Sequence, residues 1–172
     1  MNKNLILCGF MGCGKSTVGR LLADRLGMTF LDLDSYLESE AAMSVSDIFA
    51  SEGEDGFRRR EHDACVTLGR REGLVLATGG GAVLRDDNVE ALKQNGVLVW
   101  LSVSPLTVVA RLKDDTSRPL LQREDKDEAI RALLEARAPL YTRAADLTVG
   151  ADGNPDDTAD AVIEALTANG LL

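Results

Sequence analysis

The sequence predicts a three-layer α/β fold, in which a five-stranded parallel sheet carries helices on both faces. Three observations point there. Short apolar runs recur at 5–8, 29–33, 74–77, 97–101 and 147–149, with stretches of helical apolar spacing between them. The intervening connections run to a dozen or more residues, as right-handed βαβ crossovers require, whereas antiparallel neighbours are joined by tight turns. A length of 172 residues suits one hydrophobic core, so we expect a single domain over 1–172.

The elements follow in order. The first strand, Leu5–Cys8, runs into a glycine-rich turn, and a helix with Val18, Leu21, Leu22 and Leu26 on one face stops at Gly27. The second strand, Thr29–Leu33, carries Asp32 and Asp34 at its carboxyl end. Residues 35–71 are too many for one crossover and show several helical segments, with Ser46 as an N-cap before Ile48 and Phe49. They read as a substrate-covering region. The third strand, Leu74–Ala77, ends in Gly79, Gly80 and Gly81, and a helix with Val89 and Leu92 leads through Gly96 to the fourth strand, Val97–Leu101. The charged stretch 113–127, containing Arg118-Pro119-Leu120-Leu121, reads as a mobile lid ahead of a helix with Ile130, Leu133 and Leu134. After the fifth strand, Leu147–Val149, a helix over 154–169 buries Val162, Ile163 and Leu166.

Composition narrows the partners. Apolar residues make up 45% and charged residues 27%, which is the balance of an ordinary folded domain. A net charge of −9 repels nucleic acid and anionic membrane surfaces, so any anion must be captured locally. Cys8, Cys13 and Cys65 are odd in number and read as reduced thiols in a cytoplasmic chain. The apolar run at the start is far shorter than the ~18 residues of a membrane span, and no targeting signal is visible. A monomer is expected from the single-domain size.

Gly9-Phe10-Met11-Gly12-Cys13-Gly14-Lys15-Ser16-Thr17 matches G-x-x-x-x-G-K-[ST] between a strand and a helix, the context that gives the motif its meaning. Such a loop turns successive backbone N–H groups toward phosphate oxygens in conformations that a Cβ obstructs, and the helix dipole adds to the attraction. Lys15 reaches the β- and γ-phosphates of ATP, Ser16 is placed for Mg²⁺, and Thr17 serves the α-phosphate or caps the helix. Nucleotide binding follows, with Gly12, Cys13 and Gly14 forming the cradle.

A P-loop alone does not separate kinases from GTPases, motors or nucleotide sensors. No N-K-x-D run for guanine is present. Asp32 and Asp34, two apart on a strand end, face one way; one can support Mg²⁺ through water and the other orient an attacking hydroxyl, although Asp34 also suits helix capping. Arg58 and Glu61, three apart in a helical run, allow the acid to orient the guanidinium for a ligand carboxylate. His62 reads as an exposed helix residue. Gly79–Gly81 let backbone approach a ligand, Arg118 can stabilise charge on the transferring phosphate, and Arg137, four before Tyr141, can hold a second anionic group. These residues point to a kinase for a small anionic metabolite, against which stands a sensor that binds ATP without turnover.

Together these motifs resemble the shikimate kinase family over nearly the whole chain: Gly12–Thr17 with Val18-Gly19, Asp32-Leu33-Asp34, Phe57-Arg58-Arg59-Arg60-Glu61, Gly79–Gly81, Arg118-Pro119-Leu120-Leu121 and Arg137-Ala138-Pro139-Leu140-Tyr141. The resemblance implies strand order 2-3-1-4-5, as in nucleoside monophosphate kinases, and phosphorylation of the 3-hydroxyl of shikimate within aromatic amino-acid biosynthesis. It further implies that Asp34 holds the hydroxyls, that Arg58, Arg137 and backbone near Gly80 hold the carboxylate, and that Asp32 joins the water shell of Mg²⁺ at Ser16. Arg111 and Asn154-Pro155 are implied to flank adenine. Cys13 stands where small residues are usual.

Overall fold

A computed structural model of the chain describes residues 3–172; Met1 and Asn2, where the expected domain begins, lie outside the described residues. In chain order the elements are β1 (Asn4–Cys8), α1 (Lys15–Leu26), β2 (Thr29–Asp32), α2 (Leu33–Ala41), α3 (Val45–Gly69), β3 (Leu74–Ala77), α4 (Asp86–Lys93), β4 (Gly96–Ser102), α5 (Pro105–Arg111), α6 (Lys126–Ala144), β5 (Leu147–Gly150) and α7 (Pro155–Ala168). Single 3₁₀ turns lie at Ala82–Leu84 and Pro119–Gln122.

The strands pair in the order β2-β3-β1-β4-β5, every pair parallel. With two residues per strand period, Leu5, Leu7, Val97, Val99 and Leu101 pack on one face against Val18 and Leu22 of α1 and Val162 and Leu166 of α7. Ile6, Cys8, Leu74, Leu76 and Leu98 pack on the other against Leu37, Phe57, Leu68 and Leu92. Each of these fully buried aliphatic side chains contributes on the order of 1.5–3 kcal/mol. Because both faces are dry, the strands read as continuous apolar runs, which is why they stand out in the sequence. Asn4 is the polar exception: its amide donates to the carbonyls of Leu68 and Arg71 and accepts from the N–H of Leu74, tying the end of α3 to the sheet.

All the parallel strands end on one edge, and the turns leaving that edge build the site. Here the structure departs from the expectations. β2 stops at Asp32, because the Asp32 carboxylate accepts the Ser35 N–H at 3.0 Å and caps α2 at once. Asp34 therefore lies in the first turn of a helix, and the two acids do not share a strand face. The cap of α3 is Ser44 instead of Ser46, since only Ser44 is three residues before an N–H free to be bonded, that of Asp47 at 3.1 Å. Gly53, with φ 70 and ψ −177, breaks α3 into two limbs, and Thr78 separates β3 from the three glycines. His62 is half-buried and not exposed: its Nδ1 lies 2.8 Å from the Asn88 Oδ1 and joins α3 to α4.

The α3–α4 contact rests on Gly69, whose missing Cβ leaves room for the Ala91 carbonyl. Gly69→Ala should cost about 1–3 kcal/mol by overpacking. A thermal melt should show that as a fall of about 2–4 °C per kcal/mol in a domain of this size; an unchanged melting temperature would show that the two helices part freely.

Candidate active site

The loop between β1 and α1 needs glycine for stated reasons. A Cβ on Gly9 would stand 2.8 Å from the Leu101 carbonyl oxygen and from the Cys13 sulfur, and Gly14, at φ 90, starts α1 from the left-handed region. The Lys15 ammonium folds over this loop, donating to the carbonyls of Gly9 at 2.7 Å and Phe10 at 3.0 Å and lying 3.5 Å from the Cys13 sulfur. Ser16 Oγ donates to Asp32 Oδ2 at 3.2 Å, so the N-terminus of α1 and the end of β2 meet through a hydroxyl and a carboxylate.

Above them opens a cleft of about 360 Å³ lined by Gly12, Gly14, Lys15, Ser16, Thr17, Asp32, Asp34, Gly79, Gly80, Gly81, Arg118 and Arg137, with Met11 and Thr78. The structure thus gathers residues from five separate stretches of chain. A second cleft, about 310 Å³, shares Gly12, Gly14 and Thr17 with the first and continues past Cys13 to Arg111, Gly153, Pro155 and Thr158. Arg111 shapes it by donating to the carbonyls of Gly12 at 3.1 Å, Ala151 at 2.7 Å and Gly153 at 3.1 Å. Cys13 is almost sealed, at 1% exposure. Asn154, expected beside adenine, caps α7 by accepting the Asp157 N–H at 2.8 Å.

Arg58 is not on the wall of the first cleft. It projects from α3 to Gly81, its guanidinium nitrogens 3.1 Å from where a Cβ on that glycine would lie, and it pairs with the buried Glu61 at 2.9 Å. The orienting role of the acid at three-residue spacing is therefore present. Arg137 reaches the neighbouring glycine from α6, with Nη1 3.2 Å from the corresponding point on Gly80 and its guanidinium carbon 5.8 Å from the Phe10 ring centre. Phe57 and Phe49 stack at 4.5 Å beside Arg58.

Electrostatically the cleft is strained by design. Burial holds the Asp34 carboxyl above the usual carboxylate range, the Asp32 charge raises it further, and Arg118 and Lys15 pull it back. Burial likewise raises Glu61, with Arg58 opposing it. Lys15, Arg118 and Arg137 make the cleft locally cationic within a chain of net charge −9. Among the described residues no three His, Cys, Asp or Glu side chains converge on a metal position. The Ser16 hydroxyl and Asp32 carboxylate suit Mg²⁺, which takes few protein oxygens and fills its octahedron with phosphate and water.

Met11 and Thr78 escaped the sequence reading. Met11 occupies a motif position that accepts any residue, whereas Thr78 was traceable as the residue between a strand end and three glycines.

Known proteins are similar to this chain in sequence and fold. Residues 11–167 match the family model described as shikimate kinase. A shikimate kinase of Symbiobacterium thermophilum is 44% identical over 170 residues, covering 97% of this chain and 98% of that one. The structure of the Acinetobacter baumannii shikimate kinase in complex with shikimate superposes with a TM-score of 0.91 at 40% identity, over 100% of this chain and 97% of that one. A gluconokinase of Sinorhizobium meliloti, at 14% identity and TM-score 0.61 over 97% and 93% of the two chains, shares the fold alone. The chain belongs to the shikimate kinase family.

Proposed function

We infer that the chain transfers the γ-phosphate of ATP to the 3-hydroxyl of shikimate, giving shikimate 3-phosphate and ADP. The observation that carries this beyond family membership is one cleft that brings a P-loop lysine, the half-buried Asp34 carboxylate, Arg118 and Arg137 together.

The phosphates lie along the loop Gly12–Thr17 with Lys15 on the β- and γ-oxygens, and the adenine occupies the second cleft between Arg111 and Pro155. Mg²⁺, when bound, neutralises charge on the β- and γ-phosphates, and Ser16 would hold it directly with Asp32 acting through water. Arg137, Arg58 and the backbone of Gly79–Gly81 take the shikimate carboxylate. Asp34 accepts a hydrogen bond from the 3-hydroxyl. Its raised pKa makes it a stronger proton acceptor than an ordinary carboxylate, so it takes the proton as the oxygen–phosphorus bond forms and the bond to the β–γ bridging oxygen breaks. Arg118, from the arm between α5 and α6, balances charge on the leaving oxygen. The arm over 113–127 acts as a lid and residues 35–71 as the substrate-binding region. We place the reaction in the cytoplasm on the strength of three free thiols, with a monomer as the working unit from the single-domain size and no nucleic acid or membrane partner from the net charge of −9.

An ADP-release assay with Mg-ATP and shikimate, quinate, gluconate or nucleoside monophosphates should respond strongly to shikimate alone. A stronger response to another acceptor would overturn the substrate, and no response to any would favour a nucleotide sensor. Lys15→Ala and Asp34→Ala should each lower kcat by at least about 100-fold, whereas Arg58→Ala should chiefly raise the KM for shikimate.

Stability should move the opposite way at Asp34. Its folded pKa is raised, so the folded state binds the proton more tightly; that contribution is present below the unfolded pKa of about 3.9 and is lost as pH rises through the folded value. At pH 7 the ionised group is therefore a net cost. Asp34→Asn should melt a few degrees above the parent chain at pH 7, with the advantage shrinking toward pH 4. A lower melting temperature at pH 7 would show that Lys15 and Arg118 more than compensate the buried charge.

A further inference from the structure

Tyr141 is fully buried in α6, yet its hydroxyl reaches the wall of the first cleft. Its hydroxyl donates to the Gly80 carbonyl at 2.8 Å. A buried phenol needs an acceptor, and the one it finds belongs to a glycine on the cleft wall. One helical turn earlier, Arg137 reaches the same glycine. The Tyr141 oxygen and the Arg137 Nη1 lie 3.8 Å and 3.2 Å from one point, the position of a Cβ on Gly80.

The chemistry of a phenol makes this a junction. It has one proton to give and two lone pairs. The proton is committed to Gly80, and Arg137, one helical turn earlier, stands at the same glycine. Burial pushes the phenol up to about 12, against the pull of the nearby Arg137 charge, so the donor is present at any working pH. In a trans peptide the C=O and the following N–H point in opposite directions. Anchoring the Gly80 carbonyl on Tyr141 therefore directs the Gly81 N–H away from α6, and Gly81 lines the cleft. The Trp100 ring packs against the phenol, with the ring centres 5.8 Å apart.

We propose that Tyr141 is a positioning residue for the acceptor's carboxylate: its hydroxyl fixes the glycine peptide against which Arg137 stands, so that both donors meet the same acid. This deepens the reading of the chain as a shikimate kinase and rests on it. Tyr141 touches no reacting atom; it acts through Gly80 and Arg137.

The test is Tyr141→Phe in the full chain, read by steady-state kinetics and by titration of the fluorescence of Trp100, the sole tryptophan. Loss of one hydrogen bond to a donor array of this kind should raise the Kd and KM for shikimate about tenfold, with kcat within about twofold and the KM for ATP unmoved. The methyl ester of shikimate, which keeps the hydroxyls and lacks the charge, should lose less than about twofold, because the ester never used the array in full. An equal loss for acid and ester, a parallel change in the KM for ATP, or unchanged shikimate affinity would each overturn the assignment while leaving the shikimate reading intact. If the parent chain itself neither binds nor turns over shikimate, the functional reading falls first and this assignment with it.

Discussion

The carboxylate of Asp34 is the constraint around which the site is arranged. A charge withdrawn from water is costly unless other charges and hydrogen bonds replace the solvent. Lys15 and Arg118 do so only in part, since the carboxyl remains raised. The cost falls where a base is wanted: against a phosphate-binding loop, at the edge where all the parallel strands end. The surrounding fold can bear it because both faces of the sheet are covered by dry apolar layers.

Local chemistry explains what the sequence made legible. The P-loop was readable because its function lies in backbone geometry, and the glycines at 9, 12 and 14 all adopt positive φ. Arg58 and Glu61 were readable because a three-residue helical spacing is itself a contact, and the pair is formed at 2.9 Å. The three central strands were readable because both their faces are buried, while the edge strands β2 and β5 are only partly covered and were read from their short apolar runs. Asp34 was placed wrongly in detail: strand alternation was applied one residue past the point where Asp32 caps a helix, and nothing in the run Leu31-Asp32-Leu33-Asp34 distinguishes the two. Contacts over long separations were not readable at all. Arg111 binds carbonyls that lie 99, 40 and 42 residues away, and Tyr141 meets Gly80 across 61. Only the closed fold brings such partners together.

The partners of the cationic side chains bear on how loading can proceed. Lys15 rests on neutral carbonyls of its own loop. Phosphate oxygens offer it charged acceptors, and hydrogen bonds to ionised groups are roughly twice as strong as neutral ones. Arg58 is held at Gly81 by Glu61, and Arg118 stands on an arm that α5 and α6 anchor at both ends. The proposed acid-binding groups are thus preset by buried partners. The phosphate-binding groups rest on exchangeable ones, which lets the site be rigid toward the acceptor and adaptable toward the nucleotide.

Because the proposed role of Asp34 is to aim one hydroxyl at the γ-phosphate, product identity bears most directly on it. The ³¹P spectrum of a completed reaction with Mg-ATP and shikimate should contain one new phosphomonoester, coupled to the proton on carbon 3, in equal amount to ADP. Inorganic phosphate as the sole new signal, or an ester on another hydroxyl, would contradict the arrangement of acceptor and carboxylate described above.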